Sequence, residues 1–373
     1  MHNEINFADT VSRVMLLRNV RDINTFRLIL RNEMFSEAQL DTWIRTTIAR
    51  NVQTLVINLS FQVWLPRCLF TCKTLVDLRL YDCGPIPDDA VLLPNLKKLH
   101  LDSFQYGTDE KLQNLISGCP VLEELNIHAI VANDLKSCII SSPTIKWLSL
   151  NLQLIDYEDD FCDYKLEINA PAVRYLVVEE DGISQHISTG TFNSLVEANI
   201  CLNNGEVKDD VLYSSSVLEL VEKVCQVKCL RVSIGSRQFL DSSFATATSK
   251  FINLTKLELD ADWLLLLKFL ESADNLQVLI IREVASDLKC WREPHQVPLC
   301  LLSHLRQVTI DKFGYSEDEF KMVSYVLKNG EFLNMMDIHG NYYVSDLSEK
   351  KFNALQRVSA FERRSQTCKL KFS

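Results

Sequence analysis

The chain has 373 residues with 49 acidic against 39 basic side chains, a formal net charge of −10, so its average field repels polyanions and gives no support to nucleic-acid binding. Hydrophobic residues make up 47% and charged residues 24%, with only 10 glycines and 9 prolines, a composition that excludes long disordered linkers. No run approaches the ~18 apolar residues of a membrane span, and Arg13, Arg18, Arg21, Arg27, Asp9 and Asp22 interrupt the opening segment, so neither a membrane segment nor a signal peptide is expected.

One phrase recurs along the chain: an aliphatic residue, two positions, a second aliphatic, one position, a third. Clean copies are Leu75-x-x-Leu78-x-Leu80-x-x-Cys83, Leu96-x-x-Leu99-x-Leu101-x-x-Phe104 and Leu122-x-x-Leu125-x-Ile127-x-x-Ile130. Its first aliphatics are Ile23, Val52, Leu75, Leu96, Leu122, Ile145, Val173, Leu195, Val227, Leu254, Leu276, Leu305 and Leu333, with the copies at Leu195, Val227 and Leu333 degenerate. Successive starts lie 21 to 32 residues apart, which overlaps the ~20–29 residues of a leucine-rich repeat with insertions. Alternation such as Leu78-Arg79-Leu80 is that of a short strand with one buried face. The expected fold is α/β: a leucine-rich-repeat horseshoe solenoid with parallel strands on the concave face.

In chain order, Ser36-Glu37-Ala38-Gln39 forms a capping box ahead of an apolar stripe of Leu40, Trp43, Ile44, Thr47 and Ile48. Leu112, Leu115, Ile116 and Cys119 make a second helical stripe, stopped by Gly118-Cys119-Pro120. Ser216-Val217-Leu218-Glu219 opens a third, with Leu220, Val221 and Val224 inward. The texture changes near Ser286. A repeat-like strand from Leu305 to Ile310 leads to Ser316-Glu317-Asp318-Glu319, which caps a helix with Phe320, Val323 and Leu327 on one face and Gly330 at its end. A strand Met335 to Ile338, a polar helical stretch and the strand-like Cys368-Lys369-Leu370-Lys371-Phe372 follow. This divides the chain into irregular repeats over 1–285 and an α+β module over 286–373 that closes the end of the solenoid.

Outward positions of the strands are Asp77, Arg79, Tyr81; Lys98, His100, Asp102; Glu124, Asn126, His128; Trp147, Ser149, Asn151; and Tyr175, Val177, Glu179. Among them Arg79, Tyr81, His100, Asn126, His128, Trp147, Asn151 and Tyr175 are the candidate concave binding face, because aromatic, Arg and polar side chains dominate interface energies. Cys290, His295, Cys300 and His304 are zinc-type ligands at spacings unlike those of known zinc sites, and no metal is expected there. Asp156, Glu158, Asp159, Asp160 and Asp163 lack the glycine and terminal glutamate of a calcium loop and are expected to form a solvated convex insertion. Twelve scattered cysteines, several at apolar repeat positions such as Cys83 and Cys119, fit reduced thiols in a cytoplasmic or nuclear setting, and Cys68, Cys72, Cys225 and Cys229 are expected to be buried thiols. No phosphate loop, nucleophile elbow or His-Glu-x-x-His helix is present, so no catalysis and no cofactor are expected.

Three phrases, Leu65-Pro66-Arg67-Cys68-Leu69-Phe70-Thr71-Cys72-Lys73-Thr74-Leu75-Val76, Leu93-Pro94-Asn95-Leu96-Lys97-Lys98-Leu99 and Gly118-Cys119-Pro120-Val121-Leu122-Glu123-Glu124-Leu125, resemble the plant F-box proteins with leucine-rich repeats and a C-terminal FBD domain. Trp291-x-x-Pro294, Val297-Pro298-Leu299-Cys300-Leu301-Leu302 and Thr367-Cys368-Lys369-Leu370 resemble the FBD module. The resemblance implies a substrate-recognition subunit of a cullin-type ubiquitin ligase, docked through an F-box on a Skp-type adaptor. The only Leu-Pro pairs, Leu65-Pro66 and Leu93-Pro94, lead into repeats, and Phe7 to Asn19 resembles the segment after an F-box, so no F-box is expected in this chain. Two other readings stay open: a stand-alone repeat module that binds a protein without ligase association, and a receptor for a small-molecule signal.

The register itself is testable by chemical denaturation. Leu99→Asp is expected to unfold several units, whereas His100→Asp next to it keeps stability within about 0.5 kcal/mol; equal effects would show the register to be wrong.

Overall fold

A computed structural model of the chain describes residues 7–17, 21–30, 35–59, 63–84, 86, 90–104, 108–131, 136–154, 164–181, 184–203, 210–234, 250–261, 263–284, 291–341 and 347–373. The chain divides into two compact units, Met1–Ser194 and Leu195–Ser373.

The first unit runs α1 (Phe7–Leu17), β1 (Thr25–Leu30), α2 (Glu37–Ala49), β2 (Thr54–Leu59), a 3-10 helix (Arg67–Thr71), β3 (Asp77–Tyr81), β4 (Lys98–Phe104), α3 (Asp109–Ser117), β5 (Glu124–Val131), β6 (Ser137–Ser141), β7 (Trp147–Leu154), β8 (Tyr164–Asn169), β9 (Tyr175–Asp181) and β10 (Ser184–Thr189). Its main sheet is parallel in the order β1-β2-β3-β4-β5-β7-β9. The second unit runs β11 (Glu197–Asn203), α4 (Asp210–Lys223), β12 (Cys229–Ile234), β13 (Lys256–Ala261), α5 (Trp263–Ser272), β14 (Val278–Val284), α6 (Leu299–Ser303), β15 (Gln307–Phe313), α7 (Glu317–Asn329), β16 (Met335–Gly340), α8 (Leu347–Ser359) and β17 (Lys369–Phe372), with β11 to β17 again parallel in sequence order.

Each of the thirteen repeat phrases gives a main-sheet strand that begins two residues after its first aliphatic, from Ile23 and Thr25 to Leu333 and Met335. The second and third aliphatics line up across the sheet. In the first unit one buried row is Leu55, Leu78, Leu99, Leu125, Leu148 and Leu176, and the next is Leu28, Ile57, Leu80, Leu101, Ile127, Leu150 and Val178, none more than 3% exposed. Burying each such side chain contributes about 1.5–3 kcal/mol, so a row ties every strand to its neighbours. The copies at Leu195, Val227 and Leu333 that look degenerate in sequence bury their aliphatics equally well, as Val227, Leu230 and Val232 do.

Backbone bonds between repeats follow the same period. The N–H groups of Lys97 and Lys98 both donate to Val76 O, and those of Glu123 and Glu124 both donate to Lys97 O. One residue ahead of the first aliphatic, a short polar side chain bonds back to the previous repeat: Thr74 to Val52 O at 2.8 Å, Asn95 to Lys73 O at 2.7 Å, Thr144 to Leu122 O at 2.7 Å and Asn275 to Ile252 O at 2.8 Å. Seven residues after the first aliphatic, Asp82, Ser103 and Lys312 share a φ of 51°; around Ser103 and Lys312 the register shifts, and Phe104 and Phe313 pair again beyond them.

The return paths differ more than the sequence implies. The capping boxes at Ser36 with Gln39 and at Ser316 with Glu319 form as expected. The third helix instead starts at Asp210, so Ser216 lies inside it; Ser-x-x-Glu marks a helical stretch there but not its beginning. α1, α5 and the 3-10 helix carry no strong start signal in the sequence. Trp43 Nε1 donates to Ser12 Oγ at 3.0 Å and Arg50 Nη2 to Met15 O at 2.9 Å, docking α1 on α2. Between β5 and the end of the first unit the return paths are strands: β6, β8 and β10 form a separate parallel sheet, with Cys138, Ile140, Leu166, Ile168 and Ile187 buried. The acidic segment from Asp156 to Asp163 lies outside the described residues.

In the second unit the change of texture near Ser286 does not interrupt the sheet, because β14 and β15 pair in register from Val278 with Gln307 to Ile281 with Ile310. Glu319, only 7% exposed, accepts from Gly314 N at 2.7 Å and from Ser316 N and Oγ at 2.8 Å each. Glu319→Ala leaves these donors without a carboxylate, and is expected to lower stability by about 2–3 kcal/mol. Exposed Glu317→Ala should cost under about 1 kcal/mol; equal shifts in the denaturant midpoint would contradict the capping role.

Candidate functional site

The outward side chains of β3, β4, β5, β7 and β9 form three rows on the open face of the sheet, opposite the buried aliphatics. The first is Asp77, Lys98, Glu124, Trp147 and Tyr175; the second Arg79, His100, Asn126, Ser149 and Val177; the third Tyr81, Asp102, His128, Asn151 and Glu179. All eight candidate residues, Arg79, Tyr81, His100, Asn126, His128, Trp147, Asn151 and Tyr175, stand on this face because their strands hold the register set by the leucines.

Most of the charge on the face is spent internally. Arg79 donates to both oxygens of Asp77, from Nε at 3.1 Å and Nη2 at 2.9 Å, and the bond holds its guanidinium pKa above the usual value. Lys98 Nζ donates to Glu124 Oε1 at 2.7 Å. In the third row His128 Nδ1 bonds to Asp102 Oδ1 at 2.8 Å, and Asn151 Nδ2 donates to Glu179 Oε2 at 2.9 Å. His100 stacks on Tyr81 with ring centroids 4.9 Å apart, and burial pushes its pKa below the ordinary imidazole value, an effect partly offset by Asp102. Position 100 is half-buried, with Arg79 paired to it across the strands and Asp102 two residues on, so charges of both signs flank it.

Two large rings are left facing outward. Trp147 is 44% exposed and packs against Tyr175 at 5.1 Å between centroids, an offset pair that presents a continuous aromatic surface. Ser149 and Val177 above them are small, so nothing bulky on these two strands overhangs the rings.

The open face of the second unit carries a network that the initial list of candidates missed. Arg231 Nε lies 3.3 Å from Glu258 Oε1; Arg282 Nε donates to the same oxygen at 2.8 Å and its Nη1 donates to Asp311. His339 approaches Asp337 at 3.6 Å and Asp311 at 3.9 Å, and its Nδ1 bonds to Ser373 Oγ. Counting four or six residues on from Val227, Leu254, Leu276, Leu305 and Leu333 reaches all of these residues except Ser373. The repeat period was thus the signal that could have found them.

Elsewhere the chemistry-bearing side chains are structural. Burial raises the thiol pKa of Cys83, Cys119 and Cys300 to about 12, as expected of small apolar fillers. Cys72 is buried, whereas Cys68, Cys225 and Cys229 are only partly so, a correction to the expectation for those three. Their thiols are still held in the protonated form by desolvation. Of the zinc-type residues, Cys300 turns its thiol to Leu270 O, His304 bonds Ser303 Oγ, and Cys290 lies outside the described residues. A cleft of about 500 Å³ lies away from the strand rows, lined by Glu37, Ala38, Asp41, Arg45, Trp64, Leu65, Pro66 and Arg67. Among the described residues no group of three or more His, Cys, Asp or Glu is placed to hold a metal ion, and no helix is long and apolar enough to cross a membrane.

Known proteins are similar to this chain in sequence. Residues 40–199 match the family described as FBD-associated F-box protein At5g56370, LRR repeats, and residues 293–338 match FBD. The chain is 29% identical to F-box/FBD/LRR-repeat protein At3g52680 of Arabidopsis thaliana, over 98% of this chain and 81% of the relative. It is also 29% identical to the putative F-box/FBD/LRR-repeat protein At5g22670 of the same plant, over 99% and 86%. A third relative there, F-box/FBD/LRR-repeat protein At2g26030, is 28% identical over 98% and 86%. By their names, repeats and an FBD segment occur together in these proteins, and the chain is similar to FBD-associated F-box and leucine-rich-repeat proteins of Arabidopsis thaliana over nearly its whole length.

Proposed function

We propose that this chain is a non-catalytic recognition subunit that holds a protein substrate for a cullin-type ubiquitin ligase. The substrate rests on the open face of β3, β4, β5, β7 and β9, and association with the Skp-type adaptor and cullin follows where an F-box is supplied. The observation that carries the reading is the exposed Trp147, packed on half-buried Tyr175, on a face whose other large side chains are largely committed to one another. Such a surface is preformed: the ion pairs and the sheet order it before a partner arrives, so binding costs little conformational entropy. The rings supply a central anchor and the polar rows its rim, the usual anatomy of an interaction surface.

In this reading the repeats occupy 1–285 and the FBD module 286–373, the partners are proteins rather than nucleic acid or membrane, and the setting is cytoplasmic or nuclear.

Fused behind an F-box and expressed in plant cells, the chain is expected to co-purify with adaptor, cullin and a reproducible set of ubiquitinated proteins. Trp147→Ala combined with Tyr175→Ala should leave adaptor and cullin recovery unchanged and reduce that set about tenfold, the effect of losing an anchor pair worth at least ~1.4 kcal/mol. Undiminished recovery of the ubiquitinated proteins would remove the open face from the reading, and consistent absence of adaptor and cullin would remove the ligase.

A further inference from the structure

The three rows of the first unit differ in how their charge is balanced. On β3, β4, β5, β7 and β9 the Lys and Arg side chains among the described open-face residues are Arg79 and Lys98, and both are bonded to first-row carboxylates, Asp77 and Glu124. The third row has carboxylates of its own with no such partner. Asp102 is bonded by His128 Nδ1 at 2.8 Å and Ser103 Oγ at 3.3 Å, and Glu179 by Asn151 Nδ2 at 2.9 Å. The nearest further group to Asp102 is His100 Nε2 at 3.9 Å, an imidazole whose burial favours its neutral form. The face therefore balances its charge where the strands begin and leaves it negative where they end.

Register gives this negative edge a dimension. Asp102 on β4 pairs with His128 on β5, His128 with Asn151 on β7, and Asn151 with Glu179 on β9. Three strand steps of about 4.8 Å place the two carboxylates roughly 14 Å apart along a line across the strands. An extended peptide rises about 3.4 Å per residue and returns to the same side every second residue, so residues four apart on it span the same ~14 Å. Tyr81 stands beside Asp102 in the row and offers a ring for a cation to lie against.

Resting on the proposed recognition role, we propose that the partner meets this face through an extended basic segment that crosses β4 to β9, with two cationic side chains four residues apart. One faces Asp102 beside Tyr81 and the other faces Glu179. Arginine suits both positions better than lysine, because its planar fork pairs with a carboxylate through two bonds and stacks on a ring. Trp147 and Tyr175, two rows away, then receive an apolar part of the partner outside this segment.

The test uses the full chain and fluorescein-labelled heptapeptides read by anisotropy: Gly-Arg-Gly-Gly-Gly-Arg-Gly, the same composition with adjacent arginines, and the glutamate counterpart of the first. The spaced arginine peptide is expected to bind at least about threefold more tightly than the adjacent one and to weaken as salt rises; the glutamate peptide should not bind. Asp102→Asn with Glu179→Gln should weaken the spaced peptide about tenfold, the loss of two charge-assisted contacts. Glu110→Gln with Glu167→Gln, the same change in net charge away from this face, should leave it unchanged. No binding of the spaced peptide at millimolar concentration, equal binding of the three peptides, or equal effects of the two double variants would overturn the charge pattern. Because these readouts use neither an F-box nor Trp147, the charge pattern fails separately from the recognition role, which stands or falls on the ubiquitinated proteins lost with the two rings.

Discussion

The burial of three apolar side chains in every repeat from Val52 onward is the constraint on which the rest of the structure depends. Side chains alternate across a strand, so a slip of one residue would carry a whole leucine row to the open face and charged residues into the core. With rows such as Leu78, Leu99, Leu125 and Leu148 almost fully buried, that slip is prohibitive, and the parallel strands are held in one register. The polar groups that leave each turn are bonded across to the previous repeat, so the order propagates from unit to unit without a distant part of the chain to impose it.

Fixed register turns variation along the sequence into pattern across the face. Residues far apart in the chain, such as Lys98 and Glu124 or Arg282 and Asp311, become neighbours because they hold the same place in adjacent repeats. Individual exposed pairs of this kind contribute little stability. Their larger consequence is to decide which side chains remain available. In the second unit Arg231, Glu258, Arg282 and Asp311 form a chain of opposite charges, whereas in the first unit Asp102 is bonded to His128, Glu179 to Asn151, and Trp147 packs on Tyr175.

The segment that matches FBD is built by the same rule. Within 293–338 a short helix, β15, α7 and the start of β16 repeat the strand and return path seen earlier, with Leu305, Val308 and Ile310 at the buried positions. What distinguishes it is local chemistry: the buried Glu319 caps α7, and Tyr325 packs beside Trp291, which lies just ahead of the segment and meets Trp263 edge-on. A module that differs in composition from the repeats thus continues their sheet while tightening its own return path.

Much of this was legible in the amino-acid sequence, because strand position depends on a short local pattern and on burial. The aliphatics from Ile23 to Leu333 locate thirteen strands, and the same spacing places Arg79, His100, Trp147 and Tyr175 on the open side. Capping boxes at Ser36 and Ser316 are equally local. The return paths were less legible: Ser-x-x-Glu at Ser216 lies within a helix, and β6, β8 and β10 form a second sheet only because three successive repeats bring them side by side. Which open-face charges neutralise each other was decided by tertiary structure alone. Lys98 can reach Glu124, and Arg282 can reach Glu258 and Asp311, only once neighbouring strands stand one sheet spacing apart, and that distance is set by backbone hydrogen bonds rather than by any run of residues.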